Sequence, residues 1–358
     1  MRVIFDNIIF SLQKSGGVSV YWYEVINRIL NQEEIHSFFI EEENSSKNIF
    51  RNKLKIQEVN TYNEGNKLSK FLSRYREINF KIRGEIFIFH STYYRTLSRS
   101  VKRKNNVKEI VTVHDFTYEH YGNGLKKWLH AYQKKKAIQA ADIVICISEN
   151  TKRDLLYFYP IFESKDIRVI YNGVSSDYFV IPEFKHEKEF SPYYLFVGSR
   201  ASYKNFDFAV KAVAQSEKFI LKIVGFDLNR NELHMLNELM LGRWELFINI
   251  ENDELNELYN GAYALIYPSS YEGFGIPILE SMKAGCPFIA MNSSSIPEVA
   301  GEGGVLLENL CIDEFNTAVA KITEGRDYMI ELGLQQSKNF SWDKCYEETL
   351  NIYKDLSI

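Results

Sequence analysis

Strand-sized apolar runs alternate with helical patterns along the chain, and this alternation constrains the fold more than any other feature. Each run is followed by a stretch in which apolar residues recur at helical spacing, which is typical of a parallel sheet covered by helices on both faces. The strands predicted in the first half are Val3–Phe10, Ser37–Ile40, Ile86–His90, Ile110–His114, Ile143–Ser148 and Ile167–Tyr171. The helices predicted between them are Val18–Leu30, Lys67–Arg83 and Leu125–Ala141.

A polar segment from Asn172 to Pro192 interrupts this pattern and is the predicted linker, because it carries two prolines and no periodicity. A second alternation follows. Its predicted strands are Tyr194–Val197, Phe219–Val224, Leu246–Ile250, Ala264–Tyr267 and Phe288–Met291, with helices at Phe206–Gln215, Glu232–Leu239, Asp253–Ala262, Pro277–Ala284 and Trp342–Leu356. We therefore predict an α/β chain of two doubly wound domains in tandem that meet near residue 172, with ligands in a cleft between them.

Composition excludes several classes of protein. The 358 residues are 45% hydrophobic and 25% charged, which are ordinary globular values and not those of fibrous or disordered chains. No apolar run approaches the ~20 residues of a spanning helix, and Asp6 and Asn7 interrupt the apolar start before a secretory signal could form. The four cysteines are scattered, which favours buried thiols in a reducing cytoplasm.

The charge is distributed unevenly. Residues 1–172 hold 28 basic and 19 acidic side chains, whereas residues 173–358 hold 15 and 28. A basic first half and an acidic second half indicate different partners for the two domains. Nucleic acid is not the expected partner of the basic half, because no RNA- or DNA-binding motif accompanies it.

The most informative loop is Tyr271–Glu280, which follows a predicted strand and opens a helix. Pro277 suits the first helical turn, and the glycines allow a ligand to approach the backbone closely. The amides of Phe274 to Ile276 therefore point, with the helix dipole, toward an electron-rich group such as a sugar or phosphate. Glu272 and Glu280 face the same pocket in this arrangement, and carboxylates accept hydrogen bonds from vicinal hydroxyls of a hexose or ribose.

A glutamate, seven residues and a second glutamate, with Gly-Phe-Gly-x-Pro inside, resembles the signature of family 4 retaining glycosyltransferases of the GT-B fold. The resemblance extends over nearly the whole chain. It includes Pro268-Ser269, Ala284-Gly285-Cys286-Pro287, Ile296–Gly301, Asp253-Glu254-Leu255 and Phe340-Ser341-Trp342. It implies two Rossmann-like domains that face a cleft. The acceptor-binding N-terminal domain would comprise residues 1–172 plus 341–358, because the last helix returns to it, and the nucleotide-sugar-binding C-terminal domain would comprise residues 173–340.

The resemblance also assigns the site. Arg200 and Lys204 would neutralise the leaving diphosphate, Glu272 would orient the transferred sugar, and Glu280 would hold the ribose. His114, at the end of a predicted strand, matches the histidine that approaches the donor sugar, although a strand-end histidine also commonly serves the core. The remaining donor-binding positions are Gly16, Gly17, Gly198, Ile250, Gly273, Phe274, Gly275 and Ile276.

The implied reaction moves a sugar from a nucleoside-diphosphate donor to a hydroxyl of a glycan acceptor with retention of configuration. No metal is expected, because no paired acids stand where a metal would hold the diphosphate, and no other cofactor is implied. The alternatives are an inverting transferase that uses Asp115 or His114 as base, a nucleotide-sugar epimerase, and a non-catalytic nucleotide-sugar-binding subunit.

The basic first domain leads to a membrane prediction. Lys67–Arg83 and Leu125–Ala141 both combine an apolar stripe with many cations, among them Lys70, Arg74 and Lys81. Such stripes commonly face their own sheet, but each Lys or Arg near an anionic surface adds ~1 kcal/mol of binding free energy. We expect the protein to lie in the cytoplasm and to dock on the anionic inner leaflet, where an acceptor linked to polyprenyl diphosphate in surface polysaccharide synthesis would be found.

Overall fold

The computed structural model describes residues 1–41, 47–57, 61–63, 74–182 and 192–356. The chain forms two compact units, Met1–Asn172 with Trp342–Ile358, and Gly173–Ser341. The predicted second boundary, between residues 340 and 341, lies one residue earlier than the boundary between these units.

The first unit contains a seven-stranded parallel sheet with the order β3-β2-β1-β4-β5-β6-β7. Its strands are β1 (Arg2–Asp6), β2 (His36–Glu41), β3 (Thr61–Asn63), β4 (Ile86–Ser91), β5 (Asn106–Val113), β6 (Ile143–Cys146) and β7 (Asp166–Val169). Its helices before the linker are α1 (Ile8–Leu12), α2 (Gly17–Ile29), α3 (Ile49–Lys53), α4 (Arg99–Lys104), α5 (Thr117–Tyr121), α6 (Gly124–Ala140) and α7 (Glu149–Phe158). The doubly wound arrangement predicted for this half is confirmed.

The second unit contains a six-stranded parallel sheet with the order β10-β9-β8-β11-β12-β13. Its strands are β8 (Tyr193–Val197), β9 (Ile220–Val224), β10 (Trp244–Phe247), β11 (Ala264–Tyr267), β12 (Phe288–Met291) and β13 (Gly304–Leu307). Its helices are α8 (Phe206–Ala214), α9 (Arg230–Met240), α10 (Asn252–Gly261), α11 (Ile276–Lys283), α12 (Ile296–Ala300) and α13 (Ile312–Ser337). Both sheets thus run outward in two directions from a central pair, β1/β4 and β8/β11.

The last helix, α14 (Trp342–Leu356), belongs to the first unit, as the predicted fold requires. Tyr353 is buried against the ring of Phe5 on β1, and its hydroxyl lies 2.6 Å from Nδ1 of His90 on β4. At the start of the helix, Asp343 accepts a 2.8 Å bond from Nε of Arg28 on α2. Apolar burial and polar contacts with two different elements therefore fix α14.

The predicted strand Val3–Phe10 is wrong in its second half, because β1 ends at Asp6 and α1 follows. Two buried polar residues cause the change. The carboxylate of Asp6 accepts bonds from the fully buried Arg95, with Nε to Oδ2 at 2.9 Å. The Asn7 side chain accepts a 2.8 Å bond from Nε1 of Trp22. These partners hold the chain at the carboxyl end of β1, where it turns into α1.

The predicted helix Lys67–Arg83 is also wrong where it can be compared. Residues 67–73, which include Lys70, lie outside the described residues, and residues 74–83 form turns and irregular backbone. Ile78 makes an isolated bridge to Leu97, and the guanidinium of Arg74 lies over the rings of Tyr75 and Tyr93. Arg74 is therefore a packed side chain and not a free surface cation.

In helix α6, some polar side chains are buried and some aromatic side chains are exposed, against the usual preference. Lys134, His130 and Gln133 are buried, and Lys134 is fully enclosed with Nζ 2.7 Å from Oε2 of Glu119. Trp128 is 61% exposed, and it stacks on the exposed Tyr132 with ring centroids 5.5 Å apart. The predicted helix Leu125–Ala141 was expected to present its cations to a surface, and for Lys134, one of those cations, this expectation is wrong. Within the described ranges, no helix combines the length and apolar character needed to cross a bilayer.

The Asp6–Arg95 pair gives a test of the first unit. Breaking a fully buried ion pair leaves one charge without compensation, so Arg95→Met should lower the free energy of unfolding by ~3–5 kcal/mol. Urea denaturation measures the change. The control is Arg168→Met, since Arg168 pairs with Asp166 and Asp355 at the surface, where ~0–1 kcal/mol is expected. Equal effects of the two substitutions would contradict the role of the buried pair.

Candidate functional site

The candidate site of the second unit lies at the carboxyl ends of β8 and β11. These strands are neighbours in the sheet, and the chain leaves them toward opposite sides, so their following loops leave room for a ligand. The loop after β8 carries Arg200 and Lys204, and the loop after β11 carries Glu272. The fold of this unit therefore brings together three of the predicted site residues.

Lys204 and Glu272 form an ion pair between Nζ and Oε1, and both side chains are largely buried. The Lys204 ammonium also lies 3.4 Å from the hydroxyl of Tyr267 and 5.3 Å from the centre of its ring. A short 3₁₀ helix, Ser202–Lys204, and Asn205 in the left-handed conformation turn the lysine back toward the sheet edge. The cation and the carboxylate are thus held against each other at the strand ends.

Arg200 is anchored on three sides. Its Nε lies 2.9 Å from Oε2 of Glu232 on α9, and its Nη2 donates to the carbonyl oxygens of Phe226 and Asp227 at 2.8 and 2.6 Å. Among the described residues, neither Nε nor Nη1, both buried, makes a hydrogen bond, and Nη1 has no ion-pair partner either. A buried donor without a partner is costly, so Nη1 is the atom of this guanidinium that remains for a ligand oxygen.

Two glycines give Arg200 its room. A side chain on Gly225 would place Cβ 2.6 Å from the carbonyl oxygen of Gly198 and 3.2 Å from Nη1 of Arg200. Gly198, one of the predicted donor-binding positions, has a φ of 128°, which disfavours any other residue. Gly225 and Glu232 were not predicted as site residues, because nothing in their local sequence indicates that they contact Arg200.

The Gly-Phe-Gly loop opens α11 as predicted, with Ile276 as the first helical residue. Gly275 takes a φ of 105° at the N-cap, where a side chain would be strained. The ring of Phe274 is buried edge-on against Phe340, with centroids 5.8 Å apart. Phe274 therefore anchors the loop between Gly273, which is half-buried, and Gly275, which is buried.

Serines from the loop after β12 brace the same segment. The amide of Glu272 donates to Oγ of Ser294 at 2.8 Å. Oγ of the fully buried Ser295 lies 2.9 Å from the carbonyl oxygens of both Glu272 and Phe274. These serines, too, were not predicted, and they hold the backbone on either side of Gly273.

Glu280 lies on α11 among tyrosines. Oε2 accepts a 2.9 Å bond from the hydroxyl of Tyr259, and the hydroxyl of Tyr178 also bonds to this carboxylate. Burial raises the pKa of Glu280 to about 7, although both hydroxyls oppose the shift. The carboxylate is thus oriented but costly to ionise.

The other predicted residues occupy separate places. Ile250 lies in the loop between β10 and α10. Gly16, Gly17 and His114 belong to the first unit, where Gly17 begins α2. Nε2 of His114 is hydrogen-bonded to the hydroxyl of Thr92, and burial lowers its pKa to about 4, so the ring is neutral at neutral pH. In the part of the chain that the structure describes, no group of three or more His, Cys, Asp or Glu side chains is placed to hold a metal ion.

Two family models match the chain. One, described as Glycosyltransferase Family 4, matches residues 15–178, and the other, described as Glycosyl transferases group 1, matches residues 180–339. The matches correspond to the two units and together cover most of the chain.

Individual relatives agree with these matches. O-antigen chain mannosyltransferase B of Escherichia coli is 37% identical over 108 residues, which are 29% of this chain and 28% of that protein. An uncharacterised glycosyltransferase of Methanocaldococcus jannaschii is 26% identical over 100% of this chain and 99% of its own. The chain therefore aligns with less than a third of the first relative and with nearly all of the second.

Solved structures show the fold. Sucrose-phosphate synthase from Thermosynechococcus elongatus has a TM-score of 0.76 at 17% identity, covering 99% of both chains. Anabaena HepE in complex with UDP-glucose has a TM-score of 0.72 at 14% identity, covering 99% of this chain and 100% of its own. Together they identify the predicted GT-B fold.

The raised pKa of Glu280 predicts a pH effect on stability. The folded chain holds a proton on this group up to about pH 7, whereas the unfolded chain releases it near 4.5. The group's contribution to stability is therefore fully present below the lower value and is lost as the pH rises through the higher one. Glu280→Gln removes this loss, so the melting temperature of the variant relative to wild type should rise between pH 5 and pH 8. The control is Glu257→Gln, at an exposed position of α10; the same pH dependence in both variants would refute the assignment.

Proposed function

We propose, on the premise that this chain belongs to the family 4 glycosyltransferases, that it moves a sugar from a nucleoside-diphosphate donor to a hydroxyl of an acceptor glycan. The observation that carries the proposal is the guanidinium of Arg200, which is buried at the β8/β11 switch point and whose Nη1 has no partner within the described part of the chain. A diphosphate oxygen is a ligand that satisfies this donor and its charge together.

Charge stabilisation is the main catalytic contribution in this proposal. Arg200, through Nη1, and Lys204, through Nζ, would neutralise the charge that develops on the leaving diphosphate. Both cations already have carboxylate partners, Glu232 and Glu272. They are therefore held in place before the donor arrives, which reduces the reorganisation that the reaction requires.

The sugar and the ribose would be held by the loop after β11 and by α11. Glu272 would accept hydrogen bonds from hydroxyls of the transferred sugar, and the amides around Gly275, at the start of α11, would donate to its oxygens. Glu280, one turn into the helix, would accept bonds from the ribose hydroxyls.

Retention of configuration, without a metal, is the proposed outcome. An inverting reaction needs a carboxylate or histidine base, and Asp115 and His114 are poor candidates. Lys134 and the bonds from Thr117 hold the pKa of Asp115 below its usual range despite burial. His114 is bound to Thr92. Both groups are thus weak proton acceptors at neutral pH.

The proposed acceptor is a growing surface polysaccharide linked to a polyprenyl diphosphate. O-antigen mannosyltransferases of Escherichia coli and Salmonella typhimurium are among the relatives, which favours a mannosyl donor and an acceptor of O-antigen type. Such an acceptor would be presented at a membrane surface.

The exposed face of α6 supports docking on an anionic membrane. Leu125, Trp128 and Tyr132 follow one another at helical spacing, and all are more than half exposed. Exposed Lys126 and Lys135 lie on the same helix. Stacked aromatic rings beside lysines are suited to the headgroup region of a bilayer, where the rings enter the interface and the lysines meet anionic lipid.

Substitution of the two cations tests the transfer reaction. Arg200→Ala and Lys204→Ala should each lower kcat/KM by about 10²-fold or more, because each removes a preorganised charge. Turnover is measured with GDP-mannose, UDP-glucose, UDP-N-acetylglucosamine and dTDP-rhamnose, with NMR of the product linkage to establish retention. Lys211→Ala is the control, since Lys211 is an exposed cation of α8. Full turnover in both site variants would exclude the diphosphate assignment, and an inverted linkage would exclude retention.

Vesicle sedimentation tests the membrane proposal. We expect salt-sensitive binding to phosphatidylglycerol vesicles and little binding to phosphatidylcholine. Two double variants should each weaken binding more than about tenfold. One replaces both aromatic side chains (Trp128→Ser and Tyr132→Ser), and the other reverses two charges (Lys126→Glu and Lys135→Glu), each cation being worth ~1 kcal/mol of binding free energy. Leu241→Ser removes a similarly exposed apolar side chain from the second unit and should change nothing. Equal binding to neutral and anionic vesicles would refute the proposal.

A further inference from the structure

The segment from Ser175 to Ile181 lies along α10 as a strap. Its backbone is held by Asn256 and Asn260: the amide of Phe179 donates to Oδ1 of Asn256 at 3.1 Å, and that of Ile181 donates to Oδ1 of Asn260 at 2.8 Å. Nδ2 of Asn260 in turn donates to the carbonyl oxygen of Phe179 at 3.0 Å.

Two further bonds fix the beginning of the strap. Asn252 donates from Nδ2 to the carboxylate of Asp177 at 2.7 Å, and Nζ of Lys283 on α11 donates to the carbonyl oxygen of Ser175 at 2.7 Å. Asn252, Asn256 and Asn260 follow at intervals of four residues and so share one face of α10. We call these three residues the asparagine ladder. Three amides on one helix face are unfavourable in a helix unless their bonds are satisfied, and here the strap satisfies them.

The strap delivers one side chain to the candidate site. Tyr178 is buried, with its ring edge-on to Tyr259 at a centroid distance of 5.9 Å. Its hydroxyl donates to Oδ1 of Asn252 at a long 3.4 Å and is also within hydrogen-bonding reach of the carboxylate of Glu280. The carboxylate of Glu280 therefore has one tyrosine hydroxyl beside it from α10 and a second from the strap.

We propose that Tyr178 is a positioning residue for Glu280, which the asparagine ladder holds so that the carboxylate is aimed at the ribose of the donor. The proposal rests on the proposed function, because it assumes that Glu280 binds ribose. Tyr178 lies outside the motif that runs from Glu272 to Glu280, in a segment that the sequence predicted to be a linker.

Two hydroxyl donors on one side of the Glu280 carboxylate restrict the direction in which it points. A carboxylate has about four acceptor sites, and two tyrosine hydroxyls on one side leave the remaining acceptor sites for two vicinal hydroxyls. Without Tyr178 the carboxylate would keep only the bond from Tyr259 and could rotate. A freely rotating acceptor distinguishes ribose from deoxyribose less well than a fixed one, since discrimination depends on leaving a fixed group unpaired.

The experiment compares ribose with deoxyribose. Binding of UDP and GDP, and of dUDP and dGDP, is measured by calorimetry for the full chain. Wild type should bind UDP or GDP at least tenfold more tightly than the matching 2′-deoxynucleotide, and Tyr178→Phe, which keeps the ring, should reduce that ratio several-fold. Asn256→Leu, which loosens the strap, should reduce it in the same direction. Tyr328→Phe, an exposed tyrosine of the same unit, should leave the ratio unchanged.

A double-variant cycle separates positioning from a merely structural role. In the Glu280→Gln background, Tyr178→Phe should have no further effect on the ratio. A wild-type ratio in Tyr178→Phe would overturn the inference while the proposed function stands. Absence of UDP and GDP binding to wild type would overturn the proposed function and this inference with it.

Discussion

The parallel pairing of β8 with β11 places the candidate site, because these two strands end at the same edge while their loops depart in opposite directions. Cations leave from one strand end and carboxylates from the other. Lys204 and Glu272 are separated by 68 residues, so no local segment of the chain brings them together. The pairing of the strands therefore brings the charged groups together, as a short contiguous motif does in a phosphate-binding loop. The other contacts of the site adjust their positions.

Charge burial then decides how the site is built. Arg200 and Lys204 are both largely enclosed, and an enclosed cation without a partner is strongly unfavourable. Glu232 and Glu272 supply the partners, and the carbonyl oxygens of the loop after β9 add more for Arg200. An anionic ligand therefore meets cations that are already paired. Binding to a donor atom that has no partner among the described residues, such as Nη1 of Arg200, is more favourable than displacing an existing carboxylate partner.

The periodicity of the sequence was sufficient to predict both sheets, and the spacing of Glu272 and Glu280 was sufficient to place them on one loop and helix. Partners contributed by distant segments could not be predicted: Glu232, Ser294 and the asparagine ladder carry no local signal of what they contact. The short strands β3 and β13 were missed as well. β3 has three residues, so alternation has little length over which to show itself, and β13 is short and begins with a glycine, a residue that is depleted in strands. Residues 175–181 of the predicted linker show no periodicity because their backbone is held mainly by the side chains of Asn256, Asn260 and Lys283.

Helix α6 shows where pattern reasoning fails and why. An apolar stripe predicts the buried face of a helix only when no side chain on another face is stabilised more strongly by burial. Lys134 is such a side chain, because Glu119 and the carbonyl oxygen of Asp115 satisfy its ammonium inside the unit. The ring of Phe116 also lies 4.2 Å from its Nζ. Once Lys134 is fixed inward, helical geometry directs Trp128 and Tyr132 outward. A buried ion pair thus sets the orientation of the helix, and the exposed aromatic surface of the first unit is its consequence.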